Sequence, residues 1–115
     1  MTLMIVDDHR SFRSAARRLL ESAGFEIVGE AADGESALAA IQALRPDVLL
    51  LDVQLPGIDG FEVAARLTAR ADAPAIVMTS SREAADFAGL IEQSGARGFI
   101  QKVDLSGPAI GALVA

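Results

Sequence analysis

Residues 47–60 read DVLLLDVQLPGIDG, and the architecture of the whole chain can be worked outward from them. Val48 to Leu51 is an unbroken apolar run, the pattern of a strand buried on both faces of a parallel sheet. Asp52 closes it, and Pro56 and Gly60 mark the loop that follows. Comparable short runs stand at Leu3 to Val6, Glu26 to Gly29, Ala75 to Met78 and Gly98 to Gln101, the second being the weakest. Longer stretches of helical period separate them. Such alternation predicts βαβ units around a five-stranded parallel sheet.

The intervening helices are legible to different degrees. Phe12, Ala15, Ala16, Leu19, Leu20 and Ala23 form one stripe of a first helix ended by Gly24. Arg10, Arg13, Arg17 and Arg18 fall mostly on its other side and read as a solvated face. Leu38, Ile41 and Leu44, stopped by Pro46, give a second helix, and Phe61, Ala64, Ala65 and Leu67 a third. A fourth is expected from a Ser80–Glu83 capping box and a Phe87, Leu90, Ile91 stripe, weakened by Gly89. The last begins near Ser106, with Pro108 in its first turn, and runs to Ala115.

The chain has 115 residues, 51% of them hydrophobic, which suffices for one domain over residues 1–115 with its own core. Sixteen acids against ten bases give a net charge of −6, and the aromatics are five Phe with no Trp or Tyr. Direct nucleic-acid binding, which calls for a basic stripe and stacking platforms, is not expected. Neither a signal-peptide core nor a membrane span of roughly 20 apolar residues is present, so a cytoplasmic location is expected. No cysteine is available for thiolate chemistry, His9 is the sole histidine, and Lys102 is the one lysine among ten bases.

The polar residues that close the strands carry the chemistry. Asp7 and Asp8 follow the first run, Asp52 the third, Thr79, Ser80 and Ser81 the fourth, and Lys102 the fifth. In an open α/β sheet these carboxyl ends line one rim beside the point where strand order reverses. Carboxylates gathered there repel unless a cation neutralises them. An oxygen-only cluster suits Mg²⁺, and a lone His9 does not by itself make a transition-metal site. A metal, a carboxylate nucleophile, a hydroxyl and an ammonium are the parts of phosphoryl transfer. No GxxxxGK[ST] loop occurs, so the donor is not a P-loop nucleotide.

Five residues in four motifs, in order along the chain, resemble the receiver domains of two-component response regulators. They are Asp7-Asp8 after LMIV, Asp52 in DVLLLDVQLPGIDG, Thr79 in AIVMTSS, and GARGFIQK with Lys102 at its end. The resemblance implies a flavodoxin-like, doubly wound (βα)5 fold with strand order 2-1-3-4-5. It implies that Asp52 accepts a phosphoryl group from the phosphohistidine of a histidine kinase or phosphotransfer domain. Asp7, Asp8, Asp52 and the main-chain carbonyl of Gln54 would hold Mg²⁺ or Mn²⁺. Thr79 and Lys102 would bind phosphoryl oxygens, Thr79 and Phe99 would act as the switch, and Gln54 and Ser81 would tune dephosphorylation.

The resemblance departs from the common pattern at Lys102-Val103-Asp104, where the family often has proline after the lysine, and at Ser80, where a smaller residue is usual. That ending and DDHxxFR are more similar to receivers that precede LuxR-type helix-turn-helix domains. A longer transcription regulator is therefore expected, with a stand-alone receiver as the alternative, and with homodimerisation on activation and output through the fourth helix, fifth strand and fifth helix. Turnover of external substrates is not expected. Two alternatives stand: a phosphate-independent pseudo-receiver, and a haloacid-dehalogenase-type phosphatase, which wants an acid where Gln54 stands.

Overall fold

The computed structural model describes all 115 residues. Five strands and five helices alternate: β1 (Thr2–Val6), α1 (Arg10–Ser22), β2 (Glu26–Ala31), α2 (Gly34–Leu44), β3 (Val48–Asp52), α3 (Gly60–Thr68), β4 (Ala75–Ser80), α4 (Leu90–Gln93), β5 (Gly98–Gln101) and α5 (Gly107–Val114). All neighbouring strands are parallel, in the order β2-β1-β3-β4-β5. The flavodoxin-like (βα)5 topology is as expected.

Alternating side chains divide the core in two, because successive residues of a strand point to opposite faces. Met4, Val6, Leu49, Leu51, Ile76 and Met78 pack with Leu38 and Ile41 of α2 and Val63, Ala64 and Leu67 of α3. Leu3, Ile5, Val48, Leu50 and Val77 pack with Ala16 and Leu20 of α1 and Ile110 and Val114 of α5. Both faces are covered, which explains the unbroken apolar runs. Asp33, Asp59 and Ser106 cap α2, α3 and α5, each accepting a main-chain N–H three residues on.

Three expectations need correction. The stripe of α1 is narrower than its sequence suggests: Ala16 and Leu20 are buried, whereas Ala15, Leu19 and Ala23 are exposed. A helix lying on a twisted sheet seals only the line nearest to it. Its arginines are not uniformly solvated either, since Arg13 and Arg17 both pair with Glu30 of β2. The fourth helix is broken. Ser80 completes β4 instead of capping a helix, and Ala84–Phe87 forms a 3₁₀ turn whose capping box is Glu83 with Asp86. Ala88 and Gly89 then take left-handed φ values of 49° and 82°, and α4 is a single four-residue turn. Phe87 and Ile91 still reach the core, so the apolar pattern is kept without a continuous helix.

Candidate functional site

β1 and β3 are neighbours, and their register carries Val6 onto Leu51. Asp7 and Asp52 therefore leave the sheet side by side although 45 residues separate them in the chain. Both are buried, Asp7 at 0% and Asp52 at 3% exposure, while Asp8 turns outward. β4 pairs Thr79 with Asp52, and β5 delivers Lys102 into a short 3₁₀ turn beyond its last residue.

Lys102 lies between the acids. Its Nζ is 2.6 Å from Asp7 Oδ2 and donates to Asp52 Oδ2 at 3.4 Å. It also stands 4.5 Å from the centroid of the Phe12 ring, whose negative face favours a cation. Burial opposes the ammonium charge, yet the two carboxylates prevail and hold the Lys102 pKa above its ordinary value. Asp52 is pushed up to about 6, first by desolvation and then by the Asp7 charge, against the opposing pull of Lys102 and the Gln54 N–H. That N–H donates to Asp52 Oδ1 at 3.2 Å.

The loop after β1 is held from several sides. Asp7 Oδ1 accepts the main-chain N–H of His9 at 2.8 Å. The His9 ring brings Nδ1 to 3.3 Å from Asp7 Oδ1 and 3.1 Å from Asp8 Oδ1. Arg13 donates to the Asp7 carbonyl at 2.7 Å and, through Nε, to Glu30 at 3.1 Å. Arg17 donates to the other Glu30 oxygen at 2.7 Å, so one acid on β2 anchors the first turns of α1 over the rim.

The residues fit a divalent cation. One ligand atom from each of Asp7, Asp8, His9 and Asp52 lies within 4.8 Å of the others. Oδ2 of Asp7 is buried without an aligned hydrogen bond, met only through charge by the ammonium. Carboxylate oxygens close together and only partly compensated are a hard-cation donor set.

The structure thus brings Asp7, Asp8, Asp52 and Lys102 together. Thr79 is fully buried beside them, but its hydroxyl donates to the Ile100 carbonyl at 2.7 Å. Phe99 is half-buried and packs on Phe87 at a centroid distance of 6.1 Å. Gln54 and Ser81 are exposed at the rim, and the Ser81 carbonyl accepts from the Gln101 side chain at 3.2 Å. Phe12 and Arg13 are site residues that sequence reasoning assigned to the core stripe and the solvated face of α1. Their closeness to the Asp7-Asp8 pair in DDHxxFR is the signal that marks them. A cleft of about 550 Å³ between Arg45, Pro46, Arg70 and Pro74 lies at the opposite end of the sheet and shares none of these groups.

Residues 3–106 match the family model described as the response regulator receiver domain. A Pseudomonas aeruginosa protein named as a candidate transcriptional regulator is 45% identical over 101 residues, covering 87% of this chain and 48% of its own. The DNA-binding transcriptional activator EvgA of Escherichia coli is 32% identical over 102 residues, covering 89% of this chain and 50% of its own. The chain thus spans about half the length of these two relatives. Among solved structures, a LuxR-family two-component response regulator from Aurantimonas sp. superposes with a TM-score of 0.88 at 30% identity, covering 98% of this chain and 84% of that one.

Proposed function

The chain belongs to the response regulator receiver family, and from that premise we propose that Asp52 is the phosphoacceptor for a sensor histidine kinase or phosphotransfer domain. One observation carries the reading: a buried, partly uncompensated Asp52 carboxylate lies beside Asp7, with the sole lysine of the chain bonded to it. A carboxylate oxygen of Asp52 forms the new P–O bond as the P–N bond of the donor phosphohistidine breaks, its electron pair returning to the imidazole. Asp7, Asp8 and Asp52, with the Gln54 carbonyl, hold Mg²⁺ or Mn²⁺, which when bound offsets charge on the transferring oxygens.

Lys102 then moves from between the acids to a phosphoryl oxygen. Its flexible stem and compact charge permit that shift, where a planar guanidinium would seek bidentate partners. The Thr79 hydroxyl exchanges the Ile100 carbonyl for another phosphoryl oxygen, freeing β5 where Phe99 packs against Phe87. The surface of α4, β5 and α5 shifts with it. Gln54 and Ser81, exposed beside the acceptor, tune access of the hydrolytic water. The module works in the cytoplasm within a longer regulator whose output domain binds DNA, and its chemistry turns over only its own Asp52. No helix is long and apolar enough to cross a membrane.

The test is incubation with Mg²⁺ and acetyl phosphate or a phosphorylated histidine kinase. A hydroxylamine-labile adduct that disappears in Asp52→Asn is the expected result. Absence of any adduct overturns it in favour of a phosphate-independent module, and multiple turnover of unrelated phosphoesters in favour of a phosphatase.

A further inference from the structure

We infer that residues 84–94 form a two-state strap: broken in this structure, it closes into one continuous helix that seats Leu90 in the largely apolar groove between α3 and α4. Both ends of such a helix are already built. At its start the Glu83 N–H donates to Asp86 Oδ2 at 3.2 Å, one arm of a capping box. At its finish Gly95 takes a left-handed φ of 83°, the usual stop after a helix. Between them only Ala88 and Gly89 leave the right-handed region, at φ values of 49° and 82°. On either side of that break Phe87 and Ile91 are both buried, at the i, i+4 spacing that one helix would give them.

The two residues at the break pull in opposite directions. Gly89 adopts left-handed backbone without penalty, whereas Ala88 does so against the crowding of its Cβ and the following carbonyl oxygen. A continuous helix relieves Ala88 and instead costs Gly89 its conformational freedom. Each packing thus carries one unfavourable residue, and side-chain burial decides between them. Leu90 is 46% exposed, and it lines a groove of about 490 Å³ with Phe61, Ala65 and Thr68 on the α3 wall and Gln93 and Ser94 beside it. In a continuous helix Phe87, Leu90, Ile91 and Ser94 fall on one stripe about 100° wide. That stripe is directed at α3, since Phe87 already packs edge-on against Phe61 at a centroid distance of 5.9 Å. Closing the strap fills the groove with Leu90, and opening it presents the groove at the surface. Such a segment, with two packings of one sequence close in energy, is a conformational switch in its own right.

The experiment is amide NMR of the unphosphorylated, metal-free chain, which needs no phosphoryl donor and so leaves the phosphoacceptor reading to stand or fall separately. In the parent, relaxation dispersion should show microsecond-to-millisecond exchange confined to residues 84–94 and to Phe61, Ala65 and Thr68. Gly89→Ala removes the residue that tolerates the break; the nearest atom beyond its chain neighbours to a Cβ there is Glu92 Oε2 at 3.9 Å, so no collision accompanies the change. It is expected to move the population toward the continuous helix by at least about tenfold. The reading is helical Cα chemical shifts unbroken from Ala84 to Ser94, with slowed hydrogen exchange of the 88–91 amides. Ala88→Gly should act in the opposite sense and quench the dispersion, and Leu90→Ser should cancel most of the shift seen in Gly89→Ala. A break that persists at 88–89 in Gly89→Ala overturns the inference, and so does a continuous helix that Leu90→Ser leaves unchanged. If Gly89→Ala does not fold, the parent and Ala88→Gly decide: flat dispersion across 84–94 in both overturns it.

Discussion

Asp52 is held in two minds by its surroundings. Desolvation and the Asp7 charge favour the neutral acid, whereas Lys102 and the Gln54 N–H favour the anion, and the balance rests at about 6. The sign of the stability effect follows. A carboxyl with a raised folded pKa binds its proton more tightly in the native state, so its ionisation destabilises the fold. That loss accrues as pH rises from about 4 through 6 and is complete above it. In EDTA at pH 8, Asp52→Asn should therefore be more stable than the parent by up to about 3 kcal/mol, and the gain should vanish near pH 4. Urea denaturation across that range checks this; a variant less stable than the parent at pH 8 would mean that Lys102 outweighs desolvation. The sequence made these groups legible because each closes a strand, and strand ends share one rim. It could not show that Lys102 leans toward Asp7, or that Thr79 is turned to Ile100. Those depend on side-chain rotamers chosen by the packed neighbours.

At the scale of elements, close approach of main chains sets where the acceptor stands. Gly60 opens α3 directly against the end of β3, and its N–H donates to the Val53 carbonyl at 2.8 Å. A Cβ there would collide with the main-chain carbonyl oxygen of Asp52 and come within 2.9 Å of Val53 Cα. Helix propensity alone would favour alanine by about 1 kcal/mol. Collision with backbone reverses the sign, so Gly60→Ala should destabilise by roughly 1–3 kcal/mol and slow phosphorylation by acetyl phosphate. Gly111→Ala in α5 is the control: nothing lies within 4 Å of its Cβ, and it should stabilise by about 0.5–1 kcal/mol. Thermal melts of both variants with opposite signs support the account, and equal signs defeat it. The sheet was readable from apolar runs because it is buried on both faces. The fourth helix was not, since Phe87 and Ile91 keep a helical spacing while Ala88 and Gly89 between them leave the right-handed region. Periodicity reports which side chains are buried, and a broken segment can bury the same ones.

Over the whole molecule, the charge of −6 is less informative than its placement. Asp7 and Asp52 are packed beneath the rim with Asp8 above them, opposed by one lysine, so folding concentrates repulsion where the unfolded chain disperses it. A divalent ion brings that local sum to neutrality, and an acyl phosphate of about −2 in place of the Asp52 carboxylate then takes it back by about one charge. Each state of the switch thus differs from the next by only one or two charges at the rim. An ion that binds only the folded chain must stabilise it by linkage, by about 2.7 kcal/mol at a hundredfold excess over its dissociation constant. For a domain of this size that amounts to a Tm increase of roughly 10 °C. Saturating MgCl₂ should produce such an increase by differential scanning calorimetry, and NaCl at matched ionic strength should produce far less, since general screening acts on the whole −6 while site binding acts on the rim. Asp52→Asn should lose most of the magnesium-specific part. Equal shifts with the two salts would show that the rim acids are stabilised by screening alone, and that the charge on this chain is managed by solvent and not by a bound ion.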